Sequence, residues 1–447
     1  MRDAKLLLAG GSGLVLAIAA AKLLLHLATA SRYGYVGDEL YFLACGEHLD
    51  WGYVDQPPLI GLVGWIVRRT LGASLLAVRA PSALAGAALV VLTGLLAREL
   101  GGGRFAMALA ALSSGLAFTY IVMHYLFSMN AFEPLFWTGC AFLLARMART
   151  GEQRLWLAFG ALAGLGLQNK YSMAVFAFGL VAGLLASPER RAFAKPWIWL
   201  GGALAGLVFL PNVVWNVRHG WPFFELMRNI RASGRDVVLG PVEYVLHQFL
   251  NMNPATAPVW LAGLGWLLLS RRGRAFRPLG WAFVITLVTF VASKGKDYYL
   301  APAFATLFAA GAVGLEGFAA DGRRRLLRPV LFALHVPMLL FLPLTLPILS
   351  PERLVAHQAW LGFTPPATER AHARAALPHH FAWQFGWEEM VAAVARTYGA
   401  MPAEEQARVA IIGNNYGESG AVDLLGPRFG LPVKALGTHQ SYWLWGP

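Results

Sequence analysis

Apolar residues gather in long blocks along this chain, at about 6–28, 78–97, 105–126, 131–146, 155–168, 171–187, 197–215, 255–270, 279–293, 300–319 and 329–349. At 1.5 Å per helical residue such blocks suit a hydrocarbon core of about 30 Å, so the pattern predicts an all-α polytopic membrane protein with about 11 transmembrane helices. The first block is followed by Ala28-Thr29-Ala30, which resembles a signal-peptidase site. It exceeds the roughly 7–15 residues of a secretory core, so it reads as an uncleaved first span.

Between the blocks, basic residues fall on every second loop. The clusters are Arg2/Lys5, Arg98/Arg104, Arg146/Arg149/Arg154, Arg190/Arg191/Lys195, Arg271/Arg272/Arg274/Arg277 and Arg323/Arg324/Arg325/Arg328. The positive-inside rule makes that side cytoplasmic, with the N-terminus on it. The opposite face of the cell inner (plasma) membrane, the periplasm in a bacterium, then carries the outer loops 30–77 and 216–253. Asp38–Leu49 and Pro57–Leu71 have helical spacing with Trp51, Tyr53 and Trp65, as expected of amphipathic helices lying along the interface. The 216–253 loop has Trp221-Pro-Phe-Phe224 beside Arg228, Arg231 and Arg235. Hydropathy drops after Ser350, which divides the chain into a membrane domain, 1–349, and a small extramembrane α/β unit, 350–447. In the tail, Trp387–Tyr398 and Ser419–Leu425 read as helices and Ala407–Ile412 as a strand.

Composition agrees, with 57% hydrophobic and 14% charged residues, which excludes an ordinary soluble chain. The net charge of +13 sits in the loop clusters, so a nucleic-acid partner is not expected. Cys45 and Cys140 have neither disulfide nor metal spacing. Gly413-Asn-Asn-Tyr-Gly-Glu-Ser-Gly lacks the spacing of a dinucleotide loop. His124 and His247 have no companions at metal-ligand spacing and read as structural or pocket residues.

The chemistry lies on the outer loops. Asp38 and Glu39 stand at a membrane boundary, where a carboxylate without a partner or substrate is costly. Adjacent on a helix, they point about 100° apart. Asp38 is the candidate general base and Glu39 an orienting group, with a helix cap as the alternative for Asp38. Asn130 and Glu133 share a helix face one turn apart, as a second acid converging on the first or as rim polarity. Arg79, Lys170-Tyr171, Lys294, Lys296, Tyr298 and Tyr299 could together hold a phosphate, while singly each reads as a snorkelling contact.

Asp38-Glu-Leu-Tyr-Phe, Gly52-Tyr-Val-Asp55-Gln-Pro-Pro58, Val78-Arg-Ala-Pro-Ser82, Asn130-Ala-Phe-Glu-Pro-Leu135, Gln168-Asn-Lys-Tyr171 and Lys296-Asp-Tyr-Tyr-Leu-Ala-Pro302 resemble the GT-C class of polytopic glycosyltransferases. The likeness is to the group containing protein O-mannosyltransferases and the lipid A aminoarabinose transferase. It implies a GT-C fold and inverting transfer of a sugar from a polyprenyl-phosphate carrier to a lipid, glycan or protein acceptor at the periplasmic face. Asp38 would be the base, with Glu133, Asn130 and Asp55 orienting acceptor or donor. Arg79, Lys170, Lys296, Tyr298 and Tyr299 would lie at the donor phosphate. No cofactor is called for, and a divalent metal stays open with no ligand cluster seen. The second acid is usually Asp where this chain has Glu133, and a basic residue often stands where it has Tyr298. Asn415-Tyr-Gly-Glu-Ser-Gly420 and Ser441-Tyr-Trp-Leu-Trp445 resemble the periplasmic part of bacterial members. The competing readings are a transporter or lipid flippase and a catalytically silent scaffold. Charges gathered at one face, with no repeated halves, set this chain apart from the first.

Overall fold

The computed structural model describes residues 11–234, 237–365 and 375–446; Arg2, Lys5 and Arg235 of the basic pattern lie outside them. The helices are α1 Ser12–Thr29, α2 Gly37–Glu47, α3 Leu59–Thr70, α4 Leu75–Glu99, α5 Arg104–Leu116, α6 Phe118–Tyr125, α7 Met129–Thr150, α8 Leu155–Asn169 and α9 Ser172–Leu185. There follow α10 Pro196–Arg218, α11 Pro222–Ser233, α12 Pro241–Asn251, α13 Ala257–Leu269, α14 Arg277–Ala292, α15 Phe304–Phe318, α16 Leu327–Ala333, α17 Pro351–Leu361, α18 Trp387–Gly399 and α19 Tyr416–Leu425. Strands β1 Ile411–Gly413 and β2 Ala435–Gly437 pair in parallel, Ile411 opposite Ala435.

Over the described residues each apolar block contains helix, yet the blocks are not equal as spans. Among the described residues six helices are long and apolar enough to cross a membrane, or eight if each bent pair is one span. The rest fall short for local reasons. α7 carries Glu133, Arg146 and Arg149, while α8 and the 254–269 segment are short. The 105–126 block bends by 62° between α5 and α6. Carbonyls freed at that break are taken by side chains: Lys22 Nζ donates to the Gly115 oxygen at 3.3 Å and Asn253 Nδ2 to that of Leu116 at 3.0 Å.

The bundle centres on α4, packed by α1, α5 and α7, with α15 against α5 and α13. Where α13 meets α15, a Cβ on Gly311 would lie 1.7 Å from the Val259 carbonyl oxygen, so only glycine permits that approach between helices. The ends follow the basic pattern: Arg149 Nε donates to Glu99 at 2.7 Å, and Glu316 accepts from the Gly103 amide at 2.5 Å. Glu99, Arg104, Arg149 and Glu316 therefore share one end of the bundle.

The opposite end departs from expectation at α2. Nine of its eleven residues are buried, because α3 covers one side and α19 of the C-terminal segment the other. Of these two first-loop helices it is α3 that keeps an apolar exposed edge, through Leu62, Trp65 and Ile66. In the tail the strand is confined to three residues around Ile412, 69% exposed, since its only partner is the equally short β2.

Candidate active site

Asp38 is not a cap. Val36 holds the N-cap position of α2, and Glu39 reaches back to the Val36 amide at 2.9 Å. That arrangement leaves Asp38 half-buried in the first helical turn, where Tyr416 of α19 donates its hydroxyl to Oδ1 at 2.7 Å. Among the described residues no donor is bonded to Oδ2. Burial raises the Asp38 carboxyl above its ordinary range, and Glu39 adds to the rise; the Tyr416 hydrogen bond and the charge of Lys296 oppose it.

Glu39 and Arg79 form a separate, closed unit. Arg79 donates to Glu39 from Nε and Nη2, both at 2.8 Å, with the side chains 1% and 0% exposed. Its other N–H groups reach the Ala30 and Gly34 carbonyls and the Tyr125 hydroxyl, each at 2.7 Å, and Gln384 at 3.3 Å. The Tyr125 ring lies 4.4 Å from the guanidinium. Glu39 also accepts from the Phe127 amide at 2.9 Å. All five guanidinium N–H groups are thus engaged, so Arg79 has none for the donor phosphate it was expected to bind. Glu39 likewise has no lone pair turned toward a substrate. The pair clamps the first loop to α4 and α6.

Asn130 and Glu133 meet at Lys170. Lys170, in extended conformation after α8, donates to Asn130 Oδ1 at 2.7 Å and Glu133 Oε2 at 2.9 Å. Ser172 donates to the other Glu133 oxygen. The Lys170 ammonium lies 4.6 Å from the Tyr299 ring and 5.8 Å from that of Tyr298. Cation–π contacts of this kind hold a charge without neutralising it. Tyr171 is turned elsewhere, its hydroxyl accepting from Asn216 at 3.3 Å. Lys296 is linked to this region by its charge on Asp38. The following turn is tied down by Asp297, which accepts from Asn251 at 3.1 Å and lies 3.0 Å from His247 Nδ1. His124 is buried, its Nδ1 on the Tyr120 carbonyl.

Asp55 completes the outer-loop acids. Tyr41 donates to its Oδ1 at 2.7 Å, and Ser441 Oγ sits 2.7 Å from the same phenol and accepts from the Val54 amide at 3.1 Å. Burial lifts the Asp55 carboxyl to about 7; Tyr41 and its own backbone pull it down, and the charge of Asp38 pushes it up.

Sequence reasoning passed over Tyr416, Tyr41, Ser441, Ser172 and Gln384. The signal for three of them was present, because Tyr41 lies in the first-loop motif and Tyr416 and Ser441 in the tail motifs, but nothing local tied the tail to the first loop. Among the described residues no three His, Cys, Asp or Glu side chains group as a metal site requires. The arrangement offers a carboxylate with one oxygen fixed by Tyr416, within the field of Lys296 and Tyr298 of a second loop, where the neighbouring Tyr299 ring lies against Lys170 of a third. Such a set can remove a proton from a hydroxyl and steady a nearby anion.

Residues 55–215 match the family described as dolichyl-phosphate-mannose-protein mannosyltransferase. The structure is similar to ArnT from Cupriavidus metallidurans bound to undecaprenyl phosphate, with TM-score 0.62 and 16% identity over 95% of this chain and 86% of that one. Against the apo state of ArnT the values are 0.63, 15%, 95% and 86%. An oligosaccharyltransferase from Archaeoglobus fulgidus, tethered with an acceptor peptide containing the NVT sequon, matches with TM-score 0.51 and 11% identity over 95% of this chain and 64% of that one. No curated protein sequence matches.

Proposed function

We propose that the chain, which shares the fold of ArnT and matches the mannosyltransferase family model over residues 55–215, is a polytopic GT-C glycosyltransferase that moves a sugar from a polyprenyl-phosphate carrier to an acceptor hydroxyl on a lipid, glycan or protein, with inversion, at the periplasmic face of the inner membrane. The observation that carries this reading is Asp38, a half-buried carboxylate held at Oδ1 by Tyr416 and within the field of Lys296. An acceptor hydroxyl is a weak nucleophile at neutral pH, whereas a polyprenyl phosphate is already a good anionic leaving group. Help is therefore needed at the attacking atom, and one base supplies it. Lys170, Lys296, Tyr298 and Tyr299 are the proposed donor-phosphate contacts, with Asn130 and Glu133 presenting Lys170. Arg79 is left out because its donors are used inside the protein. The undecaprenyl phosphate bound to ArnT and the acceptor peptide tethered to the archaeal enzyme support a lipid-linked donor and an acceptor here.

The test is Asp38→Asn, which keeps shape and removes basicity. Turnover should fall by roughly 10²–10⁴-fold with binding of undecaprenyl phosphate retained. The product should carry the anomeric configuration opposite to the donor, as a single displacement requires. Wild-type turnover in the variant, or a retained configuration, removes Asp38 from the role of base.

A further inference from the structure

The strongest contact to Asp38 comes from 378 residues away, on an element outside the membrane bundle. We propose that Tyr416 is a positioning residue for the base, its hydroxyl pinning Asp38 Oδ1 so that Oδ2 is the oxygen presented to the acceptor. This rests on the reading of Asp38 as the base. In the step so served, the acceptor O–H proton passes to Asp38 Oδ2 and the acceptor oxygen bonds to the anomeric carbon. The bond from that carbon to the phosphate oxygen breaks, its electron pair leaving with the carrier phosphate.

Three independent features hold the phenol in place. Tyr416 is the first residue of α19, and Asn415 caps that helix by accepting from the amides of Gly417 at 2.9 Å and Glu418 at 3.1 Å. The first turn, and with it the direction of the Tyr416 side chain, is thereby fixed. The ring is flanked by Tyr41 and His439, each with its centroid 4.9 Å away, and by Trp383 at 5.9 Å. Finally, α19 meets α2 through small residues: a Cβ on Gly420 would lie 2.9 Å from the Leu40 carbonyl carbon and one on Gly417 3.2 Å from Gly37 Cα. A bulkier helix face would carry the phenol out of reach. A neutral phenol is also the fitting donor for this task, because it orients a carboxylate without pairing off its charge as a cation would.

A merely structural tyrosine and a positioning one differ in what they do to Asp38 itself. Besides Tyr416, the charged and titratable groups acting with Asp38 are Lys296, Glu39, Asp55 and Tyr298, and all of them remain in Tyr416→Phe. In the full chain in lipid nanodiscs, infrared difference spectra between Asp55→Asn and Asp38→Asn/Asp55→Asn isolate the Asp38 carboxyl, because the Asp55 carboxyl that responds to Asp38 is absent from both. The same difference is taken with Tyr416→Phe added to both. The expected result is a titration midpoint about one pH unit higher without the phenol. The acid limb of turnover should move up with it, measured on a panel of undecaprenyl-phosphate sugars by release of undecaprenyl phosphate. Loss of folded protein would lower the amplitude at every pH and leave the midpoint where it was. An unmoved midpoint overturns the role given to Tyr416; if Asp38→Asn is inactive in that case, the glycosyltransferase reading stands alone. Wild-type turnover in Asp38→Asn ends both together.

Discussion

Asp38 and Glu39 are neighbours in sequence and opposites in use. One residue step of about 100° sends Glu39 inward to Arg79, where two charges are removed from water and each hydrogen bond is satisfied, while Asp38 faces Tyr416. Breaking a buried pair by removing one charge strands the other, at a cost of about 3–5 kcal/mol. Glu39→Gln should therefore lower the thermal midpoint of the purified protein by many degrees, read by intrinsic fluorescence in detergent, whereas Asp38→Asn should leave it nearly unchanged. Wild-type melting of Glu39→Gln would show that the pair is not a clamp. Asp55 gives a second test at this scale. Its carboxyl titrates at about 7 chiefly through burial, with the Asp38 charge as a further upward cause. In Asp38→Asn that repulsion is gone, so the Asp55 midpoint should move below 7 and more of it should be ionised at neutral pH. An infrared titration of the variant against Asp38→Asn/Asp55→Asn checks the sign.

At the scale of elements, the site depends on α2 being covered from both sides. α3 follows it after the connection 48–58, and Tyr53 locks that connection by donating to the Cys45 carbonyl at 2.7 Å. α19 arrives from the far end of the chain and is held by shape, through Leu40, Val391, Val422 and Leu425 in one apolar cluster. Adding two methyl groups and a Cβ where Leu40 backbone lies 2.9–3.0 Å away forces the helices apart, and overpacking of this kind costs about 1–3 kcal/mol. Gly420→Val should raise hydrogen exchange across 416–425 and 37–47 and reduce turnover, with exchange in α13–α15 unaltered. Unchanged exchange in 37–47 would mean that α19 does not support α2.

Across the whole molecule, the ends of the helices sort by chemistry: Glu99, Arg149 and Glu316 at one end, Asp38, Glu133 and Lys170 at the other. The basic loops predict that the first end is cytoplasmic. A single reporter cysteine in place of Ser350 should react with an impermeant maleimide added from the outside of intact cells, and one at Arg272 only after lysis. The native Cys45 and Cys140 are both buried, so the background is low. Labelling of the Ser350 site only from the cytoplasm would invert the topology.

How much of this was legible in the chain follows from the range of the forces involved. The apolar blocks, the alternation of basic loops and the first-loop helices were readable because solvation by lipid or water acts on each segment separately. The shared face of Asn130 and Glu133 was readable from their spacing, whereas the arrival of Lys170 against them was not. What the tertiary structure alone decided was the sorting of similar residues into different roles. Arg79 and Lys170 are both cations near outer helix ends; the first is saturated by Glu39, Ala30, Gly34, Tyr125 and Gln384, and the second is paired with Asn130 and Glu133 against the Tyr299 ring. Asp38 owes its orientation to a tyrosine 378 positions later. Hydrogen bonds and close helix contacts specify partners in space, and no pattern along the chain encodes which distant segment will arrive.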